Sequence, residues 1–414
     1  MEQHGAKGGH GPGRNDQGLG ESLSFKLGYS LLLLILLVLR LPDRIFHAQF
    51  YAEDGFFFEQ ALRFGWHTVV TPYGGYLLTL QRLITLTGTH ISPVYVPLWF
   101  NALTLLVLFV VLFRLLSERV KLKYKPLLAL LLVCYPHPED LFLTMENTMW
   151  VLSLVLLILV FTDDANTALE MFGDGACVLL SGLTGVFSVL FFPLFLLRAF
   201  FRKTKLSILT AGLVGFTAAI QCYFIVTAPK AQALDTTPVE LSYIPAVIGY
   251  RFITHLIGGI KFLPLSVTTL SVAGVIMTCW ILILLFIRGL ETNERNKRLL
   301  LLGVMGITAA ASLFRLKHSL PILISAEPLG RYFFLPQVAF MWLLAQELNY
   351  KGLRRRLAVI FFTLFFITTL SYFRAEPLKD MHWKEASQRV KRGAYYDILI
   401  NPEGWHFRSE NSGL

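Results

Sequence analysis

Apolar residues along this chain come in long runs, not in the alternation that strands require. Ten runs stand out, at 27–42, 93–116, 126–135, 149–161, 176–197, 206–227, 265–287, 299–316, 332–348 and 357–373. A helix needs roughly 20 apolar residues to cross a bilayer core, and some of these runs reach that length while others fall short. Between the first two lies "FYAEDG" at 50–55, followed by "FFFEQALRFGW" at 56–66. In the second string Phe57, Phe58, Ala61, Leu62 and Phe64 share one helical face and Glu59, Gln60 and Arg63 the other, the pattern of a helix lying in a membrane interface. The run 176–197 contains "SGLTGVFS", where Gly182 and Gly185 predict a break into two half-length helices. With that hairpin counted as two, the pattern predicts about 11 transmembrane or half-membrane helices and one interfacial helix.

Composition turns the pattern into a fold class. Over 414 residues the chain is 55% hydrophobic and only 15% charged, with a mean hydropathy of +0.58, which makes it an all-α polytopic integral membrane protein. The net charge of +10 is concentrated in "RLLSERVKLKYK" at 114–125, "RAFFRKTK" at 198–205, "RGLETNERNKR" at 288–298 and "KGLRRR" at 351–356. Such basic loops belong in the cytoplasm, and topology rather than nucleic-acid binding accounts for them. The glycine break keeps 162–164 and 198–205 on that same side. The resulting organisation is a disordered cytoplasmic tail (1–24) leading into a retained signal anchor, a transmembrane domain (25–373), and an exoplasmic tail (374–414). That last tail is too short to bury a core of its own and is expected to fold back as a lid.

The chemistry then falls on the exoplasmic face, in the loop 43–80, the turn "YPHPEDLFLTMEN" at 135–147, the loop 229–264, the turn 317–331 and the final tail. No P-loop, HExxH, GxSxG or strand-borne GxGxxG is present. The cysteines, Cys134, Cys177, Cys222 and Cys279, lie in apolar segments without metal-type spacing and read as inert buried thiols. Asp54 stands at the start of the interfacial helix, where an N-cap alone would explain it. A cap does not explain its neighbour Glu53, and partial burial there would raise a carboxyl toward the range of a general base.

The strings "YAEDGFFFEQALRFGW", "TPYGGYLLTLQRL", "ENTMWVLSLVLL", "GLTGVFSVLFFPLFLLR", "GRYFFLP" and "INPEGWHF" resemble the GT-C superfamily of polyprenyl-phosphate-sugar-dependent glycosyltransferases, and more closely a group of bacterial surface-polysaccharide membrane proteins. The resemblance implies a GT-C-like bundle with Asp54 as catalytic base and Glu53 as helper. It also implies a second acidic site, for which Glu139 and Asp140 are the candidates, with magnesium or manganese as the ion; a solvated turn explains that pair equally well, and the sequence requires no cofactor. Phosphate binding falls to Arg331, whose planar guanidinium suits a bidentate contact, unless it merely snorkels to headgroups. Arg82, Arg251 and His255 are further cationic candidates. Glu146 and Asn147 sit where a helix enters the membrane, a depth at which polar groups need partners or function. Tyr73, Trp150 and Trp405 are placed to stack on sugar or prenyl groups, or simply belong to the aromatic belt, and Tyr332 is a further substrate-binding candidate. The expected partners are a polyprenyl-phosphate-linked sugar, a glycan or lipid-linked acceptor and the membrane itself, with no nucleic acid, in a bacterial inner membrane with the site facing outward. A polysaccharide polymerase or ligase would want an arginine-rich outer loop, and 229–264 holds only Arg251. A flippase would want charge at mid-bilayer and an internal repeat.

Overall fold

The computed structural model describes residues 22–136, 138–228, 239–258, 265–285, 291–324, 328–390 and 395–409. The expected cytoplasmic tail, up to residue 21, lies outside them. Each of the ten apolar runs contains helix. Among the described residues four helices are long and apolar enough to cross a membrane: Leu23–Arg40, Pro93–Leu115, Lys205–Thr227 and Thr292–Arg315. Leu31, Leu32 and Ile35 on the first, and Ile208, Leu209 and Phe216 on the third, are more than half exposed on the isolated chain. Stripes of that kind face lipid, so the chain is a membrane protein.

The other runs include core helices rather than full crossings. Thr148–Val160 has 13 residues and Phe334–Glu347 has 14, and nearly every side chain on both is buried. A helix apolar all round packs inside a larger bundle. At about 1.5 Å per residue, 13 residues cover only about 20 Å, short of a roughly 30 Å hydrocarbon core. The break in 176–197 is present: Ala168–Gly182 and Phe187–Arg202 meet at an elbow where Gly185 takes φ +86°. The second of these helices returns to where the first began, because Arg198 and Arg202 pair with Asp164 and Asp163 at 3.2 and 3.3 Å. The basic loops are therefore partly ion-paired. Arg114 and Arg119 hold Asp174, and Arg298 and Arg354 flank the fully buried Glu347. The elbow supports the opposite end of the bundle, with Gly185 N–H donating to Leu77 O at 2.8 Å and Thr79 N–H to Leu183 O at 3.2 Å.

Three expectations need correction. The helix Asp54–Phe64 does not offer its apolar face to lipid: Phe57, Phe58 and Ala61 are each 1% exposed. Protein covers them, in an aromatic cluster of Phe50, Phe58, Phe100, Trp383 and Phe407 with ring centroids 4.6–6.0 Å apart. The covering comes from the tail, which is not purely helical. Its alternating segment Asp397–Ile400 (β1) pairs antiparallel with Trp405–Arg408 (β2), and Ile400 and Phe407 press on Gly55, where an added Cβ would meet them at 3.1 Å. Lastly, the four cysteines are free, but Cys222 and Cys279 sit on outer helix surfaces rather than in the core.

Candidate functional site

The opening loop is shaped by "YGGY". Gly74 and Gly75 both take positive φ, +61° and +91°, as the tightest hairpin turns require. Tyr73 and Tyr76 are thereby paired through N–H···O bonds of 2.9 and 3.3 Å. The turn sets Tyr73 beside Glu53, whose carboxylate takes the tyrosine's hydroxyl bond; burial, reinforced by that negative charge, pushes Tyr73 up to about 12.

Asp54 is not an N-cap. Glu53 occupies the cap position in helical backbone with no capping side chain, and Asp54 is the first helical residue. Its Oδ1 instead accepts the backbone N–H of Glu146, 92 residues away, at 2.9 Å. Glu146 closes the group: its Oε2 accepts the Glu53 N–H at 3.3 Å, its Oε1 accepts Asn147 Nδ2 at 2.8 Å, and its carbonyl accepts Gln81 Nε2 at 3.1 Å. Asp54 is 3% exposed. Burial pushes its carboxyl up to about 8, against the pull of the Arg44 guanidinium and with the help of Glu53's charge. Two acidic motifs that the sequence presents separately thus form one buried cluster.

A cationic group adjoins it. Tyr76 is pushed up to about 12 by burial, with smaller influences from Tyr332 and Glu53, which raise it, and from Arg315 and Arg331, which lower it. Arg331 is half-buried, 5.9 Å from the Tyr332 ring centroid. Tyr332 in turn meets Trp150 edge-on at 5.3 Å. Trp150 is only 7% exposed and packs on Phe187 as well, so it is a wall of the core and not an open sugar platform.

Of the other candidates Arg82 borders the site, acting on Tyr73, and the rest stand apart. Arg82 is 1% exposed and bonds Gln60 at 2.6 Å while lying over the Phe57 ring at 4.6 Å, which makes it a staple between Asp54–Phe64 and Thr79–Gly88. Arg251 and His255 form a second buried group on a π-helical bulge, where the Gln337 amide bonds the Arg251 carbonyl and lies 3.3 Å from His255 Nδ1, and Tyr135 bonds Gln337. Glu139 belongs to neither; its carbonyl accepts Arg44 Nη2 at 3.1 Å. Among the described residues no three His, Cys, Asp or Glu side chains come together as metal ligands, and the Asp140 side chain lies outside them. Trp405 is on β2, partly exposed.

Arg44, Tyr76, Gln81 and Arg315 were missed from sequence. Tyr76 and Gln81 lie within "TPYGGYLLTLQRL", a string already singled out, whereas Arg44 and Arg315 carry no local signal beyond closing apolar helices. Chemically the site joins a carboxyl poised to exchange a proton near neutral pH, amide and carboxylate acceptors for hydroxyls, and guanidiniums for an anion. No protein-family model, no characterised protein and no solved structure matches the chain.

Proposed function

We propose that the protein is an inverting GT-C-like glycosyltransferase that moves a sugar from a polyprenyl-phosphate carrier to a glycan or lipid-linked acceptor on the exoplasmic face. The observation that supports this reading best is the convergence of Glu53, Asp54 and Tyr73 with Glu146 and Asn147, with Arg315 and Arg331 acting on the adjoining Tyr76. Asp54, once ionised, accepts the proton of the acceptor hydroxyl as that oxygen attacks the anomeric carbon. Arg331 and Arg315 neutralise the departing lipid phosphate, and Glu53 and Glu146 orient the sugar hydroxyls. The bundle, with about 11 full or half crossings, keeps its basic loops in the cytoplasm and the acidic end outside.

The test is turnover of purified polyprenyl-phosphate sugar in nanodiscs. Asp54→Asn keeps an oxygen for the Glu146 N–H while removing the base, and transfer should fall by about a hundredfold or more. Near-normal turnover removes Asp54 from the chemistry. A cysteine placed at Trp405 should label from outside the cell, and labelling only from the cytoplasm would overturn the orientation. The buried group around Arg251 and His255 favours a second reading, a glycan-lipid flippase, which would move labelled lipid across a vesicle without cleaving it.

A further inference from the structure

The loop between the crossings Leu23–Arg40 and Pro93–Leu115 carries one segment whose outer side is apolar. In the 3-10 helix Gly65–Val70, Thr68 packs inward while Trp66 and Val70 are 75% and 65% exposed, with Phe64 exposed just before them. We propose that residues 64–70 anchor this end of the protein in a phospholipid leaflet, with the Trp66 indole seated at the boundary between headgroups and acyl chains. The anchor does not depend on the function proposed above.

Two fixed points set the depth of this segment. At one, Leu77 N–H donates to Gln221 Oε1 at 2.9 Å, and Gly75 lies against Ala228, where an added Cβ would meet the alanine side chain at 3.5 Å. Gln221 stands six residues before the end of the crossing helix Lys205–Thr227, so the contact lies about 9 Å inside that end. Tyr223 and Val226, near the same end, are exposed as part of its lipid-facing side. At the other point Trp99, in the opening turns of the crossing Pro93–Leu115, donates its indole N–H to Thr87 Oγ1 at 2.9 Å. The helix Thr79–Gly88 therefore lies along the bilayer boundary between two crossings, and Gly65–Val70 packs on it. An apolar patch carried at that depth continues the lipid-facing surface of Lys205–Thr227. Its chemistry suits the boundary: a tryptophan ring is apolar and its N–H is satisfied among headgroups. Arg63, whose guanidinium lies over the Phe64 ring at 4.9 Å, can keep its charge among the phosphates from there. Phe57, Phe58 and Ala61 are covered by protein and Phe64 is not, so Phe64 marks where the protein cover stops. Because Phe64 ends the helix that Asp54 begins, the anchor also fixes the height of the acidic cluster over the membrane.

The experiment is tryptophan fluorescence of the full chain in phosphatidylcholine nanodiscs, compared with nanodiscs of the same lipid brominated near the head of its acyl chains, and with iodide added to the water. The chain has seven tryptophans, so the emission of Trp66 is read as the difference between wild type and Trp66→Phe, a change on an exposed side chain that leaves the fold alone. That difference should fall by about half or more in brominated lipid, and by less with iodide. Val70→Trp in the Trp66→Phe background should restore a component that brominated lipid quenches, which tests the patch without relying on one variant. Stronger quenching by iodide than by brominated lipid at either position means that the segment stands in water and overturns the anchor. Quenching by neither means that protein covers it, a second copy of the chain included, and overturns the anchor equally. No sugar donor enters the measurement, so loss of transfer and loss of the anchor are read separately.

Discussion

Asp54 should make the protein less stable as pH rises, and Asp54→Asn should remove that dependence. In the unfolded chain the carboxyl has its ordinary value near 3.8, whereas in the fold burial raises it to about 8. Below the lower value both states hold the proton. Between the two values the folded state keeps a proton that the unfolded state has released, so stability falls by about 1.4 kcal/mol for each pH unit. Above the higher value the loss is complete. Between pH 6 and 8 the wild type should lose on the order of 2 kcal/mol relative to Asp54→Asn, once curvature near the upper value is allowed for. Other groups titrate too, so the informative quantity is the difference between the two proteins. Thermal unfolding in nanodiscs, followed by tryptophan fluorescence at pH 6, 7 and 8, should show the asparagine variant gaining a few degrees over wild type across that interval. Parallel curves would refute a raised Asp54 and, with it, the claim that the site is dry. The same titration governs activity: at pH 7 about one molecule in ten carries the ionised base, so transfer should climb nearly tenfold per unit from pH 6 to 7 and level off above 8.

Further outcomes follow from local geometry. Gly249 and Gly274 let two helices touch backbone to backbone, since a Cβ on either would fall on the Leu270 or Pro245 carbonyl; Gly249→Ala should abolish a monodisperse peak in fluorescence-detected gel filtration, while Gly212→Ala, with open space around it, should elute as wild type. Ala52 is held at φ +46°, so Ala52→Gly should raise stability by about 1 kcal/mol, read as a higher melting temperature. Arg331→Lys keeps the charge but loses the fork; donor affinity should drop for Lys and further for Ala, by about 1.5–3 kcal/mol in all, and an unchanged apparent donor affinity in both variants would remove Arg331 from the site.

Much of this was legible in the chain, for identifiable reasons. The glycine break is a local conformational requirement, and Gly182 and Gly185 announce it. The acidic pairs are legible because a carboxylate in so apolar a chain is costly enough to need a reason. What could not be read is what those residues touch. Asp at a helix start reads as a cap, yet a shift of one residue puts Glu53 in the cap position and frees Asp54 for a partner 92 residues on. Helical periodicity identifies the apolar face of Asp54–Phe64, but not whether lipid or the tail covers it. Arg44, Arg82, Arg251, Arg315 and Arg331 are indistinguishable by type; only packing makes one a staple and another the neighbour of Tyr76.

The location of the candidate site follows from the backbone and burial without any resemblance. Sequences that fold well agree with themselves locally, and exceptions gather where function demands them. Two exceptions sit two residues apart here. Ala52 occupies left-handed backbone that a side chain disfavours by about 1 kcal/mol, and Asp54 is a carboxyl buried without a full counter-charge. Neither would persist in a free loop. The tail holds them: Asn401 brackets Ala52, accepting its N–H and donating its own to Phe50 O, while Phe407 and Trp383 close over Phe50. A chain that merely needed a lid could place it over any apolar patch, with relaxed backbone and no acid beneath. This one clamps a strained turn against a buried acid, and the expenditure makes sense only if Asp54 has to be held, dry and immobile, at that one point between Arg44 and Glu146.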